Sequence, residues 1–315
     1  MAGPPLLDRR LLLVTGKGGV GRSSVTAALA LLGARRGKRV LVCEVNAQER
    51  VAPLLGAAPA GPEVRPALPG VWTVDVTPES AMRQYGLMVL KYRTIYEAVF
   101  ENRVVKYFLR VVPSLSELVM LGKILHEVRA EERGRPRWDL VIVDAPATGH
   151  AVQLLRTPGA LLDTVPAGPL RRDAQWMHDL LLDPALTSVA LVTLPEEMPV
   201  NEAIELDEQL RVLVGVPRGC LVVNAVPEPR FAAAERAGLE ALEAEPPPLG
   251  AAARAAVLQA LRAELAARQV ARGRAAIDLP VLVLPLLAAG SWDRSAVERL
   301  ADACDQGGAP WARSP

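Results

Sequence analysis

A loop of nine residues, Gly16-Lys17-Gly18-Gly19-Val20-Gly21-Arg22-Ser23-Ser24, stands between the apolar run Leu11–Thr15 and a helical pattern from Ser23 to Arg36. Strand, glycine loop and helix in that order let backbone N–H groups turn inward and ring a phosphate, with the partial positive charge of the helix N-terminus behind them. A glycine-rich turn without a ligand is the competing reading; a match of this length, in this strand–helix context, argues against it. Gly16, Gly18, Gly19, Val20 and Gly21 would supply backbone donors. Ser23 stands where a hydroxyl coordinates Mg2+, and Ser24 where one reaches an α-phosphate. The residue before Ser23 in ordinary loops of this kind is Lys; here it is Arg22. The charge is kept, but guanidinium is bulkier, planar and differently directed. Nucleotide binding should survive that exchange, while stabilisation of a transferring phosphoryl group should change.

The rest of the chain supplies the sheet such a loop needs. Arg39–Val45, Val71–Val76, Asp139–Asp144, Ser188–Leu194, Cys220–Asn224 and Val281–Leu284 are continuous apolar runs rather than alternating ones, as expected of strands buried on both faces of a parallel sheet. Helical stretches between them predict an α/β fold, a mostly parallel doubly wound sheet of the P-loop NTPase type. Two helical regions interrupt the repeat, about 79–133 and 160–182, broken at Pro113 and at Pro166 and Pro169. They either pack on the core or form a helical insertion subdomain with an apolar face. The organisation expected is an N-terminal extension over 1–10, a nucleotide-binding domain over 11–304, and a disordered Gly/Pro tail over 305–315. Half of the 315 residues are hydrophobic, yet the longest apolar stretch, Pro280 to Gly290, is far short of the roughly 18–20 residues that span a bilayer. Asp8, Arg9 and Arg10 interrupt any secretory layout at the start, so a cytoplasmic protein is expected.

A net charge of +1 gives no support for bulk nucleic-acid binding. Cys43, Cys220 and Cys304 are far apart and odd in number, so neither a zinc pair nor a disulfide framework is expected.

Lys17, near the start of the loop, marks the deviant Walker A class, whose members pair face to face around nucleotide. At the end of the Asp139–Asp144 run stands Asp144-Ala145-Pro146-Ala147-Thr148-Gly149-His150, followed by Leu154-Leu155-Arg156-Thr157-Pro158. That run resembles switch II of the arsenite-pump ATPases and of their relatives that target tail-anchored membrane proteins. Val222-Val223-Asn224, Leu284-Pro285-Leu286, Gly122-Lys123 and Thr193-Leu194-Pro195-Glu196-Glu197 are similar to further segments of that family, so the resemblance covers about Leu11 to Leu300.

The resemblance implies ATP and Mg2+ as ligands. It implies that Lys17 reaches a partner's phosphates and that Asp144 holds the Mg2+ sphere through water. Thr148 and Gly149 would sense the γ-phosphate, while Asn224, Pro285 and Leu286 would face the adenine. Helix capping by Asp144 stays open as a plain structural alternative, and His150 reads equally as a core residue or a functional one.

Switch I departs from the family. Its usual Asp, which positions the attacking water, is replaced at the corresponding strand end by Asn46. An amide can orient water but cannot accept its proton. Glu44 lies on the same strand face and could compensate, or could serve as a structural acid in a turn or as a Mg2+-side contact. With Arg22 and Asn46 both altered, slow hydrolysis is expected. The implied assembly is a homodimer or a heterodimer with a paralogous ATPase, engaging a hydrophobic or membrane-protein client. The alternative is a hydrolysis-deficient regulatory subunit beside an intact paralogue. The zinc-bridging CxxC and the arsenite-binding cysteine cluster of family members are absent, so zinc and arsenite are not expected ligands.

Overall fold

A computed structural model describes residues 5–45, 48–90, 115–288 and 292–307. Eight strands form one sheet: β1 (Leu11–Gly16), β2 (Val40–Val45), β3 (Arg65–Leu68), β4 (Val71–Val76), β5 (Leu140–Ala147), β6 (Thr187–Thr193), β7 (Arg218–Val226) and β8 (Val281–Pro285). Their spatial order is β8-β7-β6-β1-β5-β2-β4-β3, parallel throughout except for the antiparallel edge strand β3. The helices of more than six residues among the described residues are α1 (Arg22–Arg35), α2 (Pro78–Leu90), α3 (Leu115–Arg129), α4 (Thr148–Thr164), α5 (Pro169–Leu182), α6 (Glu197–Gln209), α7 (Leu249–Ala276) and α8 (Arg294–Gln306). The expected α/β fold with a mostly parallel sheet is thus observed.

The continuous apolar runs behave as parallel strands must. Both faces of β1 and β5 are covered, so every other side chain enters a different core. Leu11, Leu13, Val141 and Val143 join one buried cluster with Leu121, Ile124 and Leu125 of α3. Leu12, Val14, Leu140 and Ile142 join a second with α1 and with Val297, Leu300 and Cys304 of α8. Helix α1 is buried on nearly every side from Val25 to Gly33, because it is sandwiched between the sheet and α8.

Several boundaries differ from the sequence expectation. Leu6 and Leu7 of the 1–10 segment are buried in the α1-side cluster, in a short 3-10 turn that ends before β1. Helix α8 runs on to Gln306, past residue 304; residues 308–315 lie outside the described residues. Of the two helical regions, 91–114 and therefore Pro113 lie outside them too. Met120 of α3 and Met177 of α5 are packed into the core rather than displayed. The second region begins earlier than expected, since α4 starts at Thr148 directly after β5 and carries Pro158 inside it. Packing of Ala151, Val152, Leu154 and Leu155 holds this helix despite the proline. Pro166 lies in the break, whereas Pro169 occupies the first turn of α5, where its missing N–H costs nothing.

The sheet order reverses around β1, with β5 on one side and β6 on the other. In an open α/β sheet the crevice beyond the strands' carboxyl ends at such a point is where ligands sit. The glycine loop leaves β1 there.

Candidate functional site

Gly16 ends β1 against the backbone of β6. A Cβ on it would lie 2.1 Å from the Val192 carbonyl oxygen, so the approach of these two strands requires glycine. Gly21 sits in the left-handed region at φ 87°, immediately before α1, and a Cβ there would meet the Asn224 amide at 2.3 Å. Between them the chain wraps one wall of a cleft of about 1210 Å3. Gly18–Ser24 line this wall, and Asp144–Ala147, Gln48–Arg50, Asn224, Ala225 and Trp292 contribute to the rest of the lining.

The first turn of α1 presents Arg22 and Ser23. Ser23 Oγ donates to Asp144 Oδ2 at 2.6 Å. The other carboxylate oxygen, Asp144 Oδ1, is buried and has no hydrogen-bond partner among the described residues. Burial pushes the Asp144 carboxyl above its usual range, opposed by the Ser23 hydroxyl and by the Arg22 and Arg50 guanidiniums. A hydroxyl and a carboxylate oxygen side by side, one of them unsatisfied, fit a hard divalent cation that also takes oxygens from a phosphate. Among the described residues no group of three or more His, Cys, Asp or Glu side chains is arranged to hold a metal. A cation here would therefore arrive with its phosphate ligand instead of residing in an all-protein cage.

Arg22 lines the cleft, but its guanidinium is already engaged. Its Nη1 donates to the Ala145 carbonyl oxygen, tying the loop to the strand end beyond Asp144. Burial lowers the Arg22 pKa, with Arg50 contributing in the same direction and Asp144 against it. Thr15 Oγ1 donates to the Pro146 carbonyl at 3.1 Å, a second tie between the same two segments. Lys17 is held elsewhere: Nζ lies 2.6 Å from Glu202 Oε1 on α6, in an ion pair about one-third exposed.

Glu44 proves to be an acid buried in the strand. It stands in register with Asp144 across β2 and β5. Its Oε1 accepts from the backbone N–H of Arg50 at 2.6 Å and of Val51 at 2.9 Å, fixing the loop that follows β2. Desolvation pushes its pKa up to about 7, the two backbone hydrogen bonds opposing. It does not line the cleft, so its geometry is that of the turn-holding acid.

The cleft thus brings together Gly18, Gly19, Val20, Gly21, Arg22, Ser23, Ser24, Asp144, His150 and Asn224. Asn224 is buried and its Nδ2 donates to the Val20 carbonyl at 3.0 Å, so it braces the loop as well as facing the cavity. Asp144 lies within β5, three residues before the Ala147 N-cap of α4; the capping alternative is not what the fold uses. Thr148 and Gly149 form the first turn of α4 behind the lining. Pro285 and Leu286 are exposed and do not line the cleft. Asn46 lies outside the described residues. Arg50 and Trp292 line the cleft and were not singled out from sequence. A cation in the loop after β2, and a tryptophan after β8 in a chain with only 4% aromatics, were the available signals.

Cys43, Cys220 and Cys304 are buried, free thiols. Cys43 lies on one face of the sheet, whereas Cys220 and Cys304 share the opposite core. Burial pushes all three thiols upward, away from the thiolate that metal or metalloid ligation needs. No helix among the described residues is long and apolar enough to cross a membrane.

Comparison with known proteins gives a consistent picture. Residues 9–166 match the model of a family described as anion-transporting ATPase. The chain is 32% identical over 223 residues to the ATPase BagA of Mycobacterium tuberculosis, covering 68% of this chain and 64% of that one. It is 30% identical over 256 residues to an arsenical pump-driving ATPase of Acidiphilium multivorum, covering 73% of this chain and 41% of the relative. An arsenical pump-driving ATPase of Escherichia coli is 27% identical, with 68% and 39% covered. The chain thus spans less than two thirds of the length of these curated relatives.

Proposed function

The chain belongs to the anion-transporting ATPase family, and we propose that it works as an ATP-binding, Mg2+-dependent switch whose hydrolysis is slowed by Arg22 and Asn46. The observation that carries this reading is the glycine loop at the N-terminus of α1, facing Asp144 across the 2.6 Å Ser23–Asp144 hydrogen bond. Backbone donors of Gly18–Gly21 and the N-terminal end of α1 would hold the phosphates, as a helix N-terminus does for any anion. Mg2+, when bound, would neutralise phosphate charge, with Ser23 Oγ as a ligand and Asp144 holding its water. Asn224 and Trp292, which also line the cleft, would face the base. Thr148 and Gly149, at the β5–α4 junction, would carry the state of the phosphates into α4.

Arg22 supports the slow-hydrolysis part. A guanidinium held on the Ala145 carbonyl is not poised on a transferring phosphoryl group as a lysine ammonium in this position would be. Single-turnover hydrolysis with enzyme in excess tests it. Arg22→Lys combined with Asn46→Asp should raise the rate by about 10-fold or more over the parent chain, the scale of a positioned base or cation in such reactions. An unchanged rate in the double variant would remove the explanation.

In this reading the protein acts in the cytoplasm as a homodimer or as one half of a heterodimer with a paralogous ATPase. Lys17 would leave Glu202 to reach the partner's phosphates, and the helical regions around α3 and α5 would engage a hydrophobic or membrane-protein client. The second reading, a hydrolysis-deficient regulatory subunit, is favoured by the same Arg22 contact; co-purified nucleotide with no turnover would select it.

A further inference from the structure

The cleft contains a cation whose role neither the glycine loop nor switch II explains. Arg50 follows β2, is exposed, and lines the cleft together with Gly18–Ser24 and Asp144. Its backbone is fixed by Glu44, whose buried carboxylate accepts from Arg50 N and Val51 N. The side chain, in contrast, is held by no ion pair or hydrogen bond among the described residues. Arg50 acts electrostatically on both Asp144 and Arg22, and with them it lines the cleft beside the Ser23–Asp144 hydrogen bond.

The other cations of the loop are engaged within the chain. Lys17 is ion-paired to Glu202, and Arg22 is hydrogen-bonded to the Ala145 carbonyl. Glu49, next to Arg50, already accepts from the backbone N–H groups of Ala60 and Gly61, so it does not serve as a partner for the guanidinium. A triphosphate entering this cleft would meet the negative charge of Asp144 and, in Arg50, a guanidinium with neither an ion pair nor a hydrogen bond among the described residues. A guanidinium fork on a pinned backbone is suited to bidentate contact with a terminal phosphate.

We propose that Arg50 is the γ-phosphate-binding residue of this site, supplying from the loop after β2 the charge that Arg22 directs to the Ala145 carbonyl. This rests on the reading of the cleft as a nucleotide site and adds to it a residue that distinguishes triphosphate from diphosphate. Binding discrimination follows from it: the interaction exists with ATP and is absent with ADP, so Arg50 sets the preference between the two without contributing to the contacts they share.

Titration calorimetry on the full chain tests this with Mg2+ and two probes, a non-hydrolysable ATP analogue and ADP. The parent chain should bind the analogue more tightly than ADP. Arg50→Ala should weaken the analogue by about 10-fold, the scale of one charge-assisted contact, and leave ADP within about twofold. Arg50→Lys, which keeps the charge but not the fork, should recover part of the preference. Because the side chain is exposed, the melting temperature of both variants should match the parent. An unchanged ratio in Arg50→Ala, an equal loss for both nucleotides, or a parent chain without preference overturns the proposal. A parent chain that binds neither probe has a different signature: it overturns the nucleotide reading, and the assignment of Arg50 falls with it.

Discussion

Asp144→Ala should abolish the Mg2+ dependence of ATP binding while leaving the fold intact. In the parent chain, adding EDTA should weaken ATP binding; in the variant it should make no difference. Turnover should fall by about 10–100-fold, the range seen when a group that orients a metal's ligands is removed. Stability should not fall with it. Asp144 is buried, carries an unpartnered oxygen and has its carboxyl pushed upward by desolvation, so the nucleotide-free protein loses a costly group along with one hydrogen bond from Ser23. A variant that keeps the parent's melting temperature and loses the EDTA effect would assign Asp144 to the cation. Retention of the EDTA effect would show that the cation is held elsewhere.

Gly16→Ala should have the opposite profile, a collapse of stability from a single methyl group. The added Cβ would sit 2.1 Å from the Val192 carbonyl oxygen. The obstacle is backbone in the strand next to β1, and the two strands pair along their whole length from Leu11↔Thr187 to Gly16↔Val192. No side chain can rotate out of the way, so β1 and β6 must separate at the point where the loop begins. A loss of about 3 kcal/mol or more is expected, beyond ordinary overpacking because backbone has to move. Urea unfolding measures it; a midpoint equal to the parent's would show that the strand ends are not packed as described.

These two positions also show why the site was partly legible in the sequence. Glycine spacing and a carboxylate at the end of an apolar strand are local signals, and Gly18–Ser24 and Asp144 do line one cleft. The parallel strands were legible for the same reason, since burial on both faces leaves an uninterrupted apolar run. Helix α4 was misjudged because Gly149, Pro158 and Gly159 all disfavour helix locally. Buried Ala151, Val152, Leu154 and Leu155 outweigh that preference, and this is tertiary information. Whether the helical regions would pack on the core or show an apolar face was open in the sequence, and the packing of α3 and α5 places Met120 and Met177 in the core.

Long-range partners were out of reach altogether. Nothing in the order of residues couples Lys17 to Glu202, or aligns Glu44 with Asp144 across β2 and β5. The role of Glu44 depends on where the chain turns next. Its carboxylate could have faced a ligand; it instead accepts two backbone N–H groups and sets the position of Arg50. Trp292, just before α8, shares the cleft with Asn224 of β7, the strand that pairs with β8.

The claim on which the other expectations depend is that this cleft binds Mg2+-ATP. Calorimetric titration of the purified full chain with ATP in Mg2+ measures it most directly. The account predicts saturable binding of one ATP per chain, weakened when EDTA removes the cation. Absence of binding at any Mg2+ concentration, by a chain that unfolds cooperatively and is therefore folded, would contradict it.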